Sequence, residues 1–348
     1  MSPRAAGRSG RAVTLSDVAK EAGVSLATAS RAINGSTNRS VNAELRERVL
    51  AAAAALHYSP NANAQAMARG RTATLGLIVH DITDPYFSTI AAGVTEAADQ
   101  AGLAVTLANT HHSAERELGF VRTMQNLRAR AIIVVGGRQD DDEANAKLRE
   151  ALTEYQEHGG TVAVVGQPVL GVSAVHVDNS GGAAALAREL HARGYRRFAV
   201  LAGPPQHLTA RERLTGFRDA LAELGTVIAP DAVVPCEFTR DGGYVGMVEL
   251  LGRELDVELV FVVNDVMALG AMTAARDGGL RLPQDLAVAG FDDIPALRDA
   301  TPQLTTVRID MVDMGRQATA LALTEQDDAR VVTIGGEVVL RESTPGVR

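Results

Sequence analysis

The chain has 348 residues, 46% of them hydrophobic, with 34 Lys/Arg against 42 Asp/Glu and one cysteine. That length allows two or three domains with ample core, no apolar run is long enough to span a bilayer, and the lone Cys236 excludes an internal disulfide and fits a reducing cytoplasm. The net charge of −8 is unevenly placed: residues 1–72 hold ten basic and four acidic side chains, the remainder 24 and 38, a basic head on an acidic body that suits nucleic-acid binding at one end.

Residues 1–12 read as a disordered basic arm without the apolar segment of a signal peptide. From Thr14 to Asn34 the pattern is two short helices joined by a tight turn. Thr14 can cap the first and Ser25 the second. Gly23 sits at the break, where the chain needs a residue tolerant of positive φ. Leu15, Val18, Ala19 and Ala22 form one apolar stripe, and Ala29 and Ile33 can pack back onto it. This is the layout of a helix-turn-helix, whose second helix enters the DNA major groove. A strong helix former follows over 44–56, closing a DNA-binding domain at 13–60.

From residue 74 strand-like runs alternate with amphipathic helical stretches. The strands are expected at Thr74–Val79, Leu103–Ala108, Ala131–Val135, Thr161–Val165, Phe198–Ala202, Leu259–Val263 and Leu286–Gly290. Helices are expected at Val94–Gln100, Phe120–Arg128, Ala183–Arg193, Arg213–Leu224, Tyr244–Arg253 and Ala268–Asp277. Such alternation implies parallel sheets covered on both faces, and so many units divide naturally into two doubly wound lobes, with the second starting near Ala174. Ligands then bind at the carboxyl ends of the strands, in the cleft between lobes. No Walker phosphate loop, GxSxG elbow, HExxH or dinucleotide fingerprint occurs in its proper context, so neither an enzyme nor a cofactor is expected. His111-His112 lacks an evident third metal ligand.

The strings TLSDVAKEAGVS, SRAIN, LHYSPN, DPYF, ARERLTGF, NDVMALGAM, GFDD and LTTV run in order over nearly the whole chain. With them the sequence resembles the LacI/GalR family of bacterial transcription regulators. The resemblance implies a helix-turn-helix domain, a hinge helix and linker over 61–73, and a two-lobed periplasmic-binding-protein-like core over 74–348. In that core the chain returns to the first lobe near 305, giving one lobe of 74–172 plus about 305–348 and another of 173–304. It also implies a cytoplasmic homodimer on a palindromic operator, released when a sugar-like effector enters the cleft.

Residue by residue, the resemblance gives Leu26, Ala27 and Arg31 to base reading. Leu26 and Ala27 offer only apolar contacts, whereas Arg31 can donate a bidentate pair to guanine. Ser25, Thr28, Ser30 and Asn34 suit phosphates, and Thr14 and Leu15 belong to the same DNA-facing set. Asn61–Arg69 is too short to be stable alone and is expected to fold when paired with its dimer mate on DNA. There Asn61 and Ala64 accompany Met67, which falls where relatives place a minor-groove leucine wedge.

The effector set carried over is Asp84, Tyr86, Phe87, Thr209, Arg211, Phe238, Asn264 and Asp292. Arginine and carboxylate can each bind two adjacent hydroxyls, asparagine donates and accepts, and aromatic faces stack on sugar C–H patches. Asp84 stands where many relatives carry Asn. His207 replaces an arginine of purine-responsive members, which weakens a nucleobase reading. Arg213 is read as a structural ion-pair partner rather than a ligand contact. The competing readings are a cytoplasmic sugar-binding protein with no regulatory DNA role, a corepressor-activated regulator, and a sugar-modifying enzyme. The last would need an acid–base pair in the cleft, where Asp292 beside Arg211 is expected to stay ionised.

Overall fold

The computed structural model describes residues 13–34, 41–58, 70–324 and 328–347, in two units, Met1–Thr72 and Ala73–Arg348. The basic arm and the hinge positions Asn61, Ala64 and Met67 lie outside the described residues.

Among the described residues of the first unit three helices form, α1 (Leu15–Glu21), α2 (Leu26–Asn34) and α3 (Ala43–Ala55). The Asp17 carboxylate accepts from both the backbone N–H and the hydroxyl of Thr14, at 2.8 and 2.7 Å, which fixes the start of α1. Gly23 turns the chain at φ +63°, and Ser25 Oγ accepts the Thr28 N–H at 3.1 Å to start α2. The core is small: Val18, Ala19, Ala22, Ala29, Ala32, Val49 and Ala52 are buried, with Leu15 and Ile33 packed at its rim. Arg48 of α3 donates Nε to the Ala22 carbonyl at 2.9 Å, placing a cation where the carbonyls at the end of α1 need donors.

The second unit holds two parallel sheets. The first contains β1 (Thr74–Val79), β2 (Ala104–Asn109), β3 (Ala131–Val135), β4 (Thr161–Val165), β5 (Ser173–Val177) and a late strand, β11 (Val331–Ile334), in the order β11-β5-β4-β3-β1-β2. Its crossovers are α4 (Pro85–Gln100), α5 (Ala114–Asn126) and α6 (Asp142–Glu157). The second contains β6 (Phe198–Leu201), β7 (Val233–Val234), β8 (Leu259–Val262) and β9 (Ala287–Ala289), ordered β7-β6-β8-β9. It is flanked by α7 (Asn179–Ala192), α8 (Leu208–Glu223), α9 (Arg240–Gly252) and α10 (Asp265–Asp277). Strands such as β3 and β8 are buried at every residue, which is why they read as unbroken apolar runs rather than alternations.

The structure moves the lobe boundary. Ala174 does not open the second lobe: β5 pairs with β4 in the first sheet, and the crossing comes after Val177. Nor does the chain stay in the first lobe after 305. Helix α11 (Met311–Leu323) packs there against α4, and β11 extends the first sheet beside β5. Then β12 (Glu337–Val339) pairs antiparallel with β10 (Thr306–Arg308). The final residues return to the second lobe, where Ser343 Oγ accepts the Thr305 N–H at 2.8 Å and donates to Val288 O at 2.6 Å.

Helices α4 and α11 cross at two glycines. A Cβ on Gly93 would lie 2.0 Å from the Val312 carbonyl oxygen, and one on Gly315 would lie 2.3 Å from that of Ile90. Gly93→Ala is therefore expected to lower stability by about 1–3 kcal/mol, the usual cost of overpacking, read as a lower urea midpoint. An unchanged midpoint would show that the helices can part freely. Among the described residues no helix is long and apolar enough to cross a membrane.

Candidate functional site

On α2 the side chains that would meet DNA are exposed at its first turn. Leu26 is 53% exposed, an uncompensated apolar surface on so small a unit, and Ala27 is exposed beside it. Arg31 folds back along its own helix, Nε to Ala27 O at 3.0 Å, so base reading requires it to swing outward. Ser25 and Thr28 share their hydroxyls at 2.8 Å within the cap. Ser30 is half-buried, Thr14 is engaged in the α1 cap, and Leu15 belongs to the core rim.

The cleft of the second unit gathers residues that follow the strands of both lobes. Asp84, Tyr86, Phe87, Thr209, Phe238, Asn264 and Asp292 all line one cavity, together with Arg213 and His207. Asp84 and Asn264 also serve as helix caps. The Asp84 Oδ1 accepts the Tyr86 N–H at 2.9 Å. The Asn264 Oδ1 accepts the Met267 N–H at 2.8 Å, which fixes the side chain and leaves its amide N–H groups for other partners. Phe87 meets Tyr86 edge-on with ring centres 5.2 Å apart, and Phe238 stacks on His207 at 4.7 Å. The cavity measures about 40 Å³, space for a few waters at roughly 10–15 Å³ each. A sugar ring enters only when the lobes part.

One arginine assignment is corrected. Arg211 is half exposed and does not line the cavity; its Nη1 donates to Asp140 Oδ2 at 2.6 Å. Arg213 takes the cleft position. It is 2% exposed and donates to Asp292 Oδ1 (2.8 Å), Asn179 Oδ1 (2.9 Å) and the Val263 carbonyl (2.8 Å). Its guanidinium lies 3.9 Å from the centre of the Phe291 ring. The reason is helical phase. Residues two apart on α8 face nearly opposite ways, and Arg213 lies on the buried side with Ala210 and Phe217. Asp292 and Asp293 do not cap a helix. Both have positive φ, +119° and +56°, a strained geometry of the kind that gathers at functional sites. Asp293 is held by Arg341 and Arg308 at 2.6 and 2.8 Å.

Several bonds cross the cleft. The Asp140 N–H donates to Gln206 O at 2.8 Å, and the Leu208 N–H to Arg138 O at 2.9 Å. Gln167 Nε2 donates to Thr209 Oγ1 at 3.1 Å and to Glu212 Oε2 at 3.0 Å. Thr209 thus works across the lobes as well as lining the cavity. Sequence reading passed over Gln167 as a cleft group, although it follows β4 as Asp84 and Tyr86 follow β1.

Burial raises the Asp84 carboxyl to about 6 despite the Tyr86 N–H. It also raises Asp292, against the pull of Arg213. Burial, helped by the neighbouring imidazoles, lowers His112 to about 4 and His207 to about 3, so both rings are neutral at pH 7. Asp265, fully buried beneath the cleft, is pushed up to about 7 by burial and by Asp292. A carboxyl with a raised folded pKa contributes its full stability below the unfolded value near 4 and loses it as pH climbs through the folded value. Asp265→Asn is therefore expected to gain stability over the parent increasingly between pH 4 and 7 and to hold that gain above 7. Urea titrations at several pH values check this; a difference independent of pH would contradict it.

Residues 14–61 match the model for bacterial regulatory proteins of the lacI family, and residues 187–344 that for a periplasmic binding protein-like domain. The HTH-type transcriptional regulator GalS of Salmonella typhimurium is 36% identical over 89% of each chain. A solved complex of the transcriptional regulator CelR with cellobiose is 31% identical at a TM-score of 0.69, covering 95% of this chain and 99% of that one. The Lac repressor dimer bound to operator and the anti-inducer ONPF is 27% identical at a TM-score of 0.81, covering 96% and 99%.

Proposed function

The chain belongs to the lacI family of bacterial regulatory proteins and is a DNA-binding transcriptional regulator, and on that footing we propose that a sugar entering the interlobe cleft releases it, as a cytoplasmic homodimer, from a palindromic operator. The observation that carries this is the group Arg213, Asp292 and Asn264 facing Phe238 in one cavity. A guanidinium fork and a carboxylate supply donors and acceptors for adjacent hydroxyls, and the aromatic face takes the C–H side of a ring. That relatives have been solved with cellobiose and with operator DNA supports both halves of the reading.

The physical sequence runs from cleft to DNA. The ligand's differential affinity for one lobe arrangement shifts the balance between arrangements. The change reaches the head through residues 61–73, proposed here as hinge and linker, where Asn61, Ala64 and Met67 would pair and enter the minor groove. Leu26, Ala27 and Arg31 would read bases, with Thr14, Leu15, Ser25, Thr28, Ser30 and Asn34 about the backbone. Two heads on one dimer match two half-sites about one helical turn apart. Selection from randomised DNA, repeated with single sugars, tests the proposal. A palindromic site weakened by one sugar is expected. A site strengthened by a ligand would reverse the switch to corepression, and no enriched site would overturn the DNA half.

A further inference from the structure

Beside the cleft lies a second cavity of about 160 Å³ that shares His112 and Gly137 as its wall with the first. It opens between the first turns of α5 and α6, and His80, Glu117, Arg138 and Asn145 line it. Two features of this wall select a ligand. First, its only Lys or Arg is Arg138, which is spent: it grips Glu117 through both terminal nitrogens, at 2.8 and 2.7 Å. Burial works to raise the Glu117 carboxyl, but the adjoining His80 and Arg138 outweigh it and bring it down to about 2. That charge, with Asp141 at the start of α6, leaves no cation for a phosphate or an acid. Second, the wall offers polar atoms in want of partners. His80 Nε2 lies 3.3 Å from Arg138 Nη2, while its Nδ1 is buried with no hydrogen-bond partner. Asn145 gives Nδ2 to the Gln139 carbonyl at 2.9 Å and keeps its carbonyl oxygen as an acceptor.

We infer that the effector is an uncharged disaccharide, with one ring at Arg213 and Asp292 and the second in the compartment of His80, His112, Glu117 and Asn145. This rests on the sugar-responsive reading above. Gly137 stands between the two compartments. A Cβ there would lie 2.4 Å from Thr209 Oγ1 and 2.6 Å from His207 Cε1, so the partition at this point is made by side chains of the second lobe packed directly on Gly137, and it withdraws when the lobes part.

The test is calorimetric titration of the full-length protein with glucose, galactose, their α- and β-linked disaccharides, and glucose 6-phosphate. At least one disaccharide is expected to bind ten or more times tighter than either monosaccharide. Ala144→Phe fills the second compartment from a half-exposed position on α6. It should erase that advantage while leaving monosaccharide affinity and the thermal midpoint within error. Equal affinity for one ring and two, with Ala144→Phe changing neither, overturns the inference and leaves the sugar reading standing. Preference for glucose 6-phosphate also overturns it. Binding of no saccharide of either size overturns both.

Discussion

Arg213→Met is expected to cost the effector-binding unit about 3–5 kcal/mol, the penalty for removing one member of a buried ion pair. Asp292, 4% exposed, would keep a charge with no partner, and the Asn179 and Val263 oxygens would each lose a donor. The same substitution should abolish the response to sugar, because the fork proposed to bind the hydroxyls is gone. The two effects separate in the double variant Arg213→Met with Asp292→Asn. The amide removes the unpaired charge and tolerates the backbone φ of +119°, so it should restore part of the stability, while the sugar response stays lost. Urea unfolding and sugar-dependent operator release measure the two. A double variant that regains stability and still responds to sugar would remove the pair from the site. Arg211→Met is the contrast. Its ion pair with Asp140 is half exposed and contributes at most about 1 kcal/mol.

The second large effect lies in the head. Arg31→Ala should relax preference at one base pair in each half-site by about 1–3 kcal/mol. The neighbours proposed to contact the DNA backbone remain, so overall affinity for unrelated DNA should change little. Binding to a library with every operator position randomised measures this. An unchanged base preference would assign the readout to Leu26 and Ala27 alone, through thymine methyl groups.

The difference between Arg211 and Arg213 shows where sequence carries a site and where it stops. The string ARERLTGF announces that an arginine at the start of α8 belongs to the cleft, but not which one. Phase decides, and phase was present in the pattern. Ala210, Arg213 and Phe217 recur at spacings of three and four, and all three are buried. A charged residue inside that stripe reads as an exception unless its partners are known, and those partners, Asn179 and Asp292, are supplied by other elements. The strands were legible for a simpler reason. Thr74–Val79, Ala131–Val135 and Thr161–Val165 coincide with their expected runs, because burial on both faces leaves little but Val, Ile, Leu and Ala.

Helix starts were read late. Val94 was the expected start of a helix that begins at Pro85, and Ala268 of one that begins at Asp265. Their first turns carry caps and cleft groups, Asp84 with Tyr86 and Asn264 with Asp265, so the apolar period begins only after the functional residues. The two-residue β7 is too short for any periodicity. Residues 173–177 read as the opening of the second lobe because nothing local records which sheet a buried strand will join. That is settled by pairing with β4 and, across a long gap in sequence, with β11.

The central claim is that cleft and operator share one coupling free energy. The measurement that tests it most directly is a closed cycle: operator affinity with and without saturating sugar, and sugar affinity with and without saturating operator, in one buffer at one salt concentration. Linkage requires the two ratios to be equal, and a coupling of about 1–3 kcal/mol sets them at about 5- to 150-fold. Equal ratios in that range, abolished together in the double variant at Arg213 and Asp292, are the predicted result. A sugar that binds the cleft with the same affinity whether or not the operator is bound would contradict the account.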